Sequence, residues 1–139
     1  MGLMLDTSVL IADERGKFDM SGFLRAVPSP QIFISAVAAA ELLHGVERAP
    51  DSVRRARRQH HVEQVLANLV VQPFDLNQAR CHARLWADLE MRGQMIGAHD
   101  LQIAAAALAF GHELATLNVR EFQRVTVLRL ADASAFCRP

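Results

Sequence analysis

The sequence predicts a three-layer α/β fold, a mostly parallel sheet of four to five strands flanked by helices. Three observations predict it. Short apolar runs recur along the chain, each too short for a helix and bounded by turn or capping residues. Longer stretches between them repeat apolar residues at helical spacing. Strand-like and helix-like stretches also alternate, the pattern of a parallel sheet covered on both faces. With 139 residues and no linker or composition shift, the chain makes one domain spanning 1–139.

The first strand is Gly2 to Leu5, short and wholly apolar. Asp6, Thr7 and Ser8 then offer capping chemistry to a helical turn or two from Val9 to Glu14. Residues 16–30 are mixed. Phe18, Phe23 and Leu24 are their candidate anchors, and Pro28, Ser29 and Pro30 mark a turn. Gln31 to Ile34 is the second strand. Ser35 is the cap of a helix from about Ala36 to Val46. Asp51 and Ser52 cap the next helix, with Val53, Val62, Val65, Leu66 and Leu69 on its apolar side. A third strand begins over Leu69 to Val71 and is ended by Pro73. Asp75 to Arg92 is a long amphipathic helix, with Ala79, Leu85, Trp86 and Leu89 inward. Gly93 and Gly97 bracket a loop. Ala98 to Phe110 is an alanine-rich helix closed by Gly111. Leu114 to Leu117 and Val125 to Leu130 are the last two strands.

Composition excludes several classes. Half the residues are apolar and about a fifth are charged, which is globular rather than disordered. Net charge is zero, unlike a general nucleic-acid coat protein, so nucleic-acid binding requires a local patch or a metal ion. Lys17 is the only lysine, and arginine is the better phosphate fork. Cys81 and Cys137 form neither a metal-ligand spacing nor a disulfide framework, as expected of reduced thiols in a cytoplasmic protein. No signal peptide or membrane span is expected: Asp6 interrupts the apolar N-terminus, and the apolar stretch 96–110 carries His99, Asp100 and Gln102.

Three acids sit where a core would not place them. Asp6 directly follows a buried strand, and ligands bind at the carboxyl ends of strands in open α/β sheets. Glu41 is the only polar residue between Ala36 and Leu43. A lone buried carboxylate costs several kcal/mol unless it is paired or bound to metal. Asp100 opens the alanine-rich helix among Ile96, Leu101, Ile103 and Ala104. Each has an ordinary reading as well: Asp6 as an N-cap, Glu41 paired with an arginine or near His44, Asp100 as a first-turn acid facing the helix dipole. Converging acids would raise one another's pKa or demand a cation, and oxygen ligands alone favour Mg²⁺ or Mn²⁺.

Four motifs then match a known pattern: Met4-Leu5-Asp6-Thr7-Ser8-Val9-Leu10-Ile11; Ile34-Ser35 with Ala40-Glu41-Leu42 and Gly45; residues 96–105, Ile-Gly-Ala-His-Asp-Leu-Gln-Ile-Ala-Ala; and Leu117-Asn118-Val119-Arg120-Glu121-Phe122. In order and spacing, over essentially the whole chain, the sequence resembles the PIN-domain family, in particular the VapC-type toxins of bacterial toxin–antitoxin pairs. The resemblance implies a single PIN domain with acids gathered at the carboxyl end of its sheet around Mg²⁺ or Mn²⁺. Carried over, Asp6, Glu41 and Asp100 are the catalytic and metal-binding acids, with Thr7 or Ser8 orienting Asp6. Many members have a fourth acid where this chain has Asn118, so either Glu121 supplies it or a second metal is weakly held. Asn118 and Glu121 also have plain readings as a turn residue and a surface acid. The resemblance further implies an endoribonuclease toxin leaving 5′-phosphate and 3′-hydroxyl ends, a homodimer, a VapB-type antitoxin whose segment enters the cleft, and a phosphate contact from Arg120. A same-fold nuclease acting on DNA or in RNA maturation, and a degenerate binding module, are the alternatives.

The remaining polar features carry weaker expectations. Arg54, Arg55, Arg57 and Arg58 form a basic cluster, either a solvated helix face or a contact for RNA or an acidic partner. His60 and His61 are expected at the surface. His44 and His99 lie near the acids without an assigned role, and Trp86 is expected in the core.

Overall fold

The computed structural model describes residues 2–28 and 31–139. Element by element, the chain runs β1 (Leu3–Leu5), α1 (Thr7–Glu14), α2 (Met20–Ala26), β2 (Ile32–Ser35), α3 (Ala36–Glu47), α4 (Ser52–Asn68) and β3 (Val70–Gln72). It continues α5 (Leu76–Met91), α6 (Ala98–Phe110), β4 (Glu113–Thr116), α7 (Val119–Phe122) and β5 (Leu130–Asp132), and ends on a 3₁₀ turn (Ser134–Phe136).

All five strands pair in parallel, in the order β3-β2-β1-β4-β5. Every residue of β1 is buried, as are the last three of β4. Successive strand residues point to opposite faces, so this burial requires cover on both sides. The cover comes from helices: α5 packs on α6, α3 on α4, and α1 on α3. From β1 the chain builds outward through β2 and β3, then returns to place β4 on β1's other side. The carboxyl ends of β1 and β4 therefore flank a switch point, where α/β sheets open a crevice.

Local chemistry explains most element ends. Ser35 caps α3 by accepting the Ala38 N–H at 3.0 Å, and Asp51 caps α4 through the Arg54 N–H at 2.8 Å. Asp75 and Gln78 close a reciprocal capping box on α5. Gly111 ends α6 at φ +70°, a left-handed conformation that suits glycine. Replacing Gly111 by Ala is expected to lower stability by about 1–2 kcal/mol, read as a shifted urea midpoint at constant slope. An unchanged midpoint would mean that this position tolerates a side chain.

Several expectations need correction or completion. The fifth strand is Leu130–Asp132, not 125–130. Val125 and Leu128 are buried while Val127 is exposed, and the Leu128 N–H bonds to the Val125 carbonyl at 3.1 Å. Two apolar residues three apart are anchoring a turn, which from sequence looked like a strand. Trp86 is not core: it is 48% exposed and leans on His82, with ring centres 5.5 Å apart. The buried stripe of α5 is Gln78, Leu85 and Leu89, with Ala79 only half buried. Val53 likewise faces solvent on α4. The mixed stretch after Gly16 contains α2, whose Phe23 packs edge-on against Phe18 and Phe136. Of the Pro28-Ser29-Pro30 turn, Ser29 and Pro30 lie outside the described residues. No helix among the described residues is long and apolar enough to cross a membrane.

Candidate active site

Asp6 leaves β1 at its carboxyl end, its own N–H bonded to the Ala115 carbonyl of β4 at 2.9 Å. Its side chain is 3% exposed and does not cap α1. Instead Oδ2 accepts the Ser8 hydroxyl at 2.6 Å and the Thr116 hydroxyl at 2.8 Å. Two short bonds on one oxygen hold the carboxylate in a single orientation. Ser8 is itself held, accepting the Leu117 N–H at 3.0 Å. Thr116 accepts the Asn118 N–H at 2.8 Å.

Thr116 was missed in the sequence. The available signal was its place at the end of a predicted strand, but using that signal requires knowing that β4 neighbours β1. The observed register pairs Leu5 with Ala115, which sets Thr116 beside Asp6.

Glu41 sits in the second turn of α3, after β2. No arginine pairs with it among the described residues. Thr7 donates to its Oε1 at 2.9 Å, while the longer approach of Thr7 to Asp6 is 3.5 Å. Thr7 therefore serves Glu41 first, and Ser8 is the hydroxyl that orients Asp6. His99 Nδ1 lies 3.5 Å from Glu41 Oε2. Adjacent on α6, His99 thus comes up to Glu41 while Asp100 feels the charges of Asp6, Glu121 and Glu41. His44 is exposed and lines a groove beside Glu41.

Asp100 stands in the first turn of α6. Its carboxyl is pushed up to about 7, first by burial, then by the negative charges of Asp6 and Glu121, by a hydrogen bond with Glu121, and by the charge of Glu41. The three acids singled out in the sequence, together with Glu121, are thus within electrostatic reach of one another. Glu121, on α7, is held below the ordinary value, first by the Gly97 N–H and next by the Asn118 amide. Those bonds measure 2.7 Å to Oε1 and 2.9 Å to Oε2. Gly97 borders both acids: a Cβ there would stand in ordinary van der Waals contact with Asp100 Oδ2 and Glu121 Oε1, both at 3.6 Å.

The acids do not close on one point. Among the described residues, no three His, Cys, Asp or Glu side chains surround a common ion position. The donor chemistry nevertheless fits a hard divalent cation. All four side chains offer oxygen only, and Asp100, raised first by burial, is raised further by the negative charges of Asp6, Glu121 and Glu41, which a cation would offset.

The arginine cluster of α4 is largely consumed within the fold. Arg55 bonds Glu47 at 3.1 Å, Arg54 lies 3.6 Å from Asp51, and Arg57 lies 3.8 Å from Glu14. Arg58 donates to the Gly45 carbonyl at 3.0 Å, and His61 pairs with Asp13 at 3.1 Å. His60 is exposed, as expected. Between α1, α3 and α4 runs a groove of about 640 Å³, floored by Leu10, Ile11, Leu42 and Val62. Thr7, Glu41 and His99 line it along with Arg48, Arg58 and His61. Arg120 is exposed beside Arg92 and Arg124, in a second, smaller concavity.

Comparison with known proteins places this geometry in context. The PIN domain family profile matches residues 3–128. A protein named Ribonuclease VapC1 from Rickettsia felis is 36% identical, with 97% of this chain and 98% of the relative covered. Among solved structures, VapBC2 from Rickettsia felis bound to a DNA fragment from their promoter superposes with a TM-score of 0.85 at 28% identity, covering 94% of this chain and 98% of the other. VapBC-5 from Mycobacterium tuberculosis, a member of the VapBC family of toxin-antitoxin systems, gives a TM-score of 0.76 at 28% identity, covering 94% and 100%.

Proposed function

Because the chain belongs to the PIN-domain family, we propose that it is an endoribonuclease that hydrolyses RNA phosphodiesters and serves as the toxin of a toxin–antitoxin pair. One observation carries the chemistry. Four acids lie within electrostatic reach of one another at the carboxyl edge of the sheet, and burial together with its acidic neighbours raises Asp100 to about 7. A fold has no structural use for such a cluster, whereas phosphodiester hydrolysis does. The relative named a ribonuclease, similar over nearly its full length, supports the substrate.

Asp6, Glu41, Asp100 and Glu121 would hold Mg²⁺ or Mn²⁺. When bound, such an ion supplies Lewis acidity toward the phosphodiester and lowers the pKa of an attacking water. The protein's own contribution is orientation. Ser8 and Thr116 fix Asp6, Thr7 fixes Glu41, and Asn118 with the Gly97 N–H fixes Glu121. This arrangement favours Glu121 as the fourth acid and Asn118 as its support. It speaks against a degenerate module, because the uncharged Asn118 leaves the acid count intact.

The 640 Å³ groove, apolar along its floor and ending on Glu41, suits a VapB-type antitoxin segment that blocks the site. The solved neighbours described as VapBC complexes support such a partner. A homodimer working in the cytoplasm completes the reading.

The test is cleavage of single-stranded RNA with Mg²⁺ or Mn²⁺, against the same reaction in EDTA. Cleavage with 5′-phosphate ends is expected only with metal, and activity in EDTA would sink the metal mechanism. In the same assay Glu121→Gln is expected to lose about a hundredfold and Asn118→Ala about tenfold. The reverse order would remove Glu121 from the acid set.

A further inference from the structure

The acids and the large groove leave one feature unused. A second concavity of about 340 Å³ is lined by Arg92, Gln94, Arg120, Gln123, Arg124 and Thr126. Half of these residues are arginines, and no carboxylate lines it. In a chain of zero net charge, whose α4 arginines are tied to acids or a carbonyl, this is a local excess of positive charge.

Two of the guanidinium groups are fixed in place. Arg124 Nη1 donates to the Met95 carbonyl at 2.7 Å, and Arg92 Nη2 donates to the Arg124 carbonyl at 2.9 Å. Asp88 balances Arg92, at 2.8 Å. A carbonyl takes a hydrogen bond without neutralising charge, and Arg124, which also helps hold the Glu121 carboxyl down from outside the pocket, keeps N–H groups to spare. Arg120 is exposed and has no partner among the described residues.

The concavity shares its walls with the acid cluster. Helix α7 and the turn after it carry Glu121 to the acids and Arg120, Gln123 and Arg124 to the pocket. The loop before α6 gives Gln94 to the pocket and the Gly97 N–H to Glu121. The order β2-β1-β4 also separates the two concavities. The large groove adjoins Glu41 on the β2 side, and the basic pocket adjoins Glu121 on the β4 side. The two concavities share no lining residue, so a segment seated in the groove leaves the pocket free.

We propose that this basic pocket is a phosphate subsite, which holds a backbone phosphate of single-stranded RNA to one side of the scissile bond. Arg120 is its docking guanidinium, and Arg92 and Arg124 form its fixed wall. The physical need is plain, since a cleft lined by acids repels a polyanion. A rigid cationic pocket beside it offsets that repulsion without entering the acid cluster, and arginine meets phosphate oxygens as a planar fork. The inference rests on the ribonuclease reading.

The test measures binding apart from cleavage. Full-length Asp6→Asn protein is titrated into a fluorescein-labelled single-stranded RNA of about 12 nucleotides, and anisotropy is read at several salt concentrations. Adding Arg120→Ala is expected to raise Kd about tenfold and to lower the salt slope by about 0.7, the loss of one phosphate contact. Arg120→Lys keeps the slope. Gln123→Glu, which puts a carboxylate in the pocket, also weakens binding. Arg54→Ala on α4 matches the parent. If Arg120→Ala and Gln123→Glu both match a parent that binds RNA, the subsite is overturned and the ribonuclease reading stands. If the parent binds no RNA, both fall. If Arg120→Ala weakens only the binding of an antitoxin, the pocket serves a protein partner and the subsite is overturned.

Discussion

Asp6→Asn is expected to abolish RNA cleavage, with a loss of about a thousandfold or more, while the protein stays folded. The first half follows from position. Asp6 is the most buried of the four acids and the most tightly held, with two hydroxyls on one oxygen. Asparagine removes the charge that a cation would need and keeps the shape. The second half follows from the same bonds. An amide oxygen at the Oδ2 position can still accept from Ser8 and Thr116, and the new NH₂ falls where Oδ1 faces Thr7 at 3.5 Å. Removing one negative charge also relieves Asp100, which feels Asp6 as its largest neighbouring charge. The variant should therefore melt no earlier than the parent. Single-turnover cleavage of a labelled RNA, beside a circular dichroism melt, checks both halves. Residual activity within tenfold of the parent would take Asp6 out of the chemistry. A collapsed melt would make it a structural residue.

Asp100→Asn is expected to raise the melting temperature by about 5 °C at pH 8 in EDTA, and to change it little near pH 4. The sign runs through proton binding. Asp100 has an ordinary value of 3.8 and is raised to about 7 in the folded protein. Between those values the folded state holds a proton that the unfolded state has lost. Stability from this group therefore falls as pH rises from about 4 to about 7, and the full penalty remains above. Asparagine carries no such penalty, so its advantage appears only at high pH. Mg²⁺ at pH 8 should restore the parent's melting temperature by binding the folded state, and restore the variant's less. Equal shifts at both pH values would show that the acids do not repel Asp100 as the structure indicates. Such a site exemplifies function held at the expense of stability.

Much of the fold was readable before any tertiary contact was known. The limits of α6 agree with the alanine-rich stretch to the residue, because Gly111 turns left-handed at its end and Gly97 takes the extended N-cap conformation at its start. The Ser35 and Asp51 caps were legible for the same reason, since a cap bonds within three residues of itself. Where reading failed, spacing was ambiguous. Val125 and Leu128 bury themselves in a turn, and Trp86 lies about a quarter of a turn off the buried stripe of α5. One apolar residue cannot show which side of a helix it faces. The arginines of α4 looked like one patch, but their partners Glu14 and Glu47 lie on other helices.

The opening acids divide the same way. By itself the sequence determined that Asp6, Glu41 and Asp100 were misplaced for a core, and that the motif pattern resembled one family. Both are local properties, of a residue against its neighbours and of motifs in order. Only the tertiary structure decided what completes the site. Thr116 meets Asp6 across 110 residues because β4 pairs with β1 in parallel. Glu121 meets Gly97 across 24 residues because α7 folds back on the loop before α6. Asn118 turns from a missing acid into the clamp on a present one. Such bonds depend on strand order and helix packing, which the long-range balance of burial sets and which no window of local sequence contains.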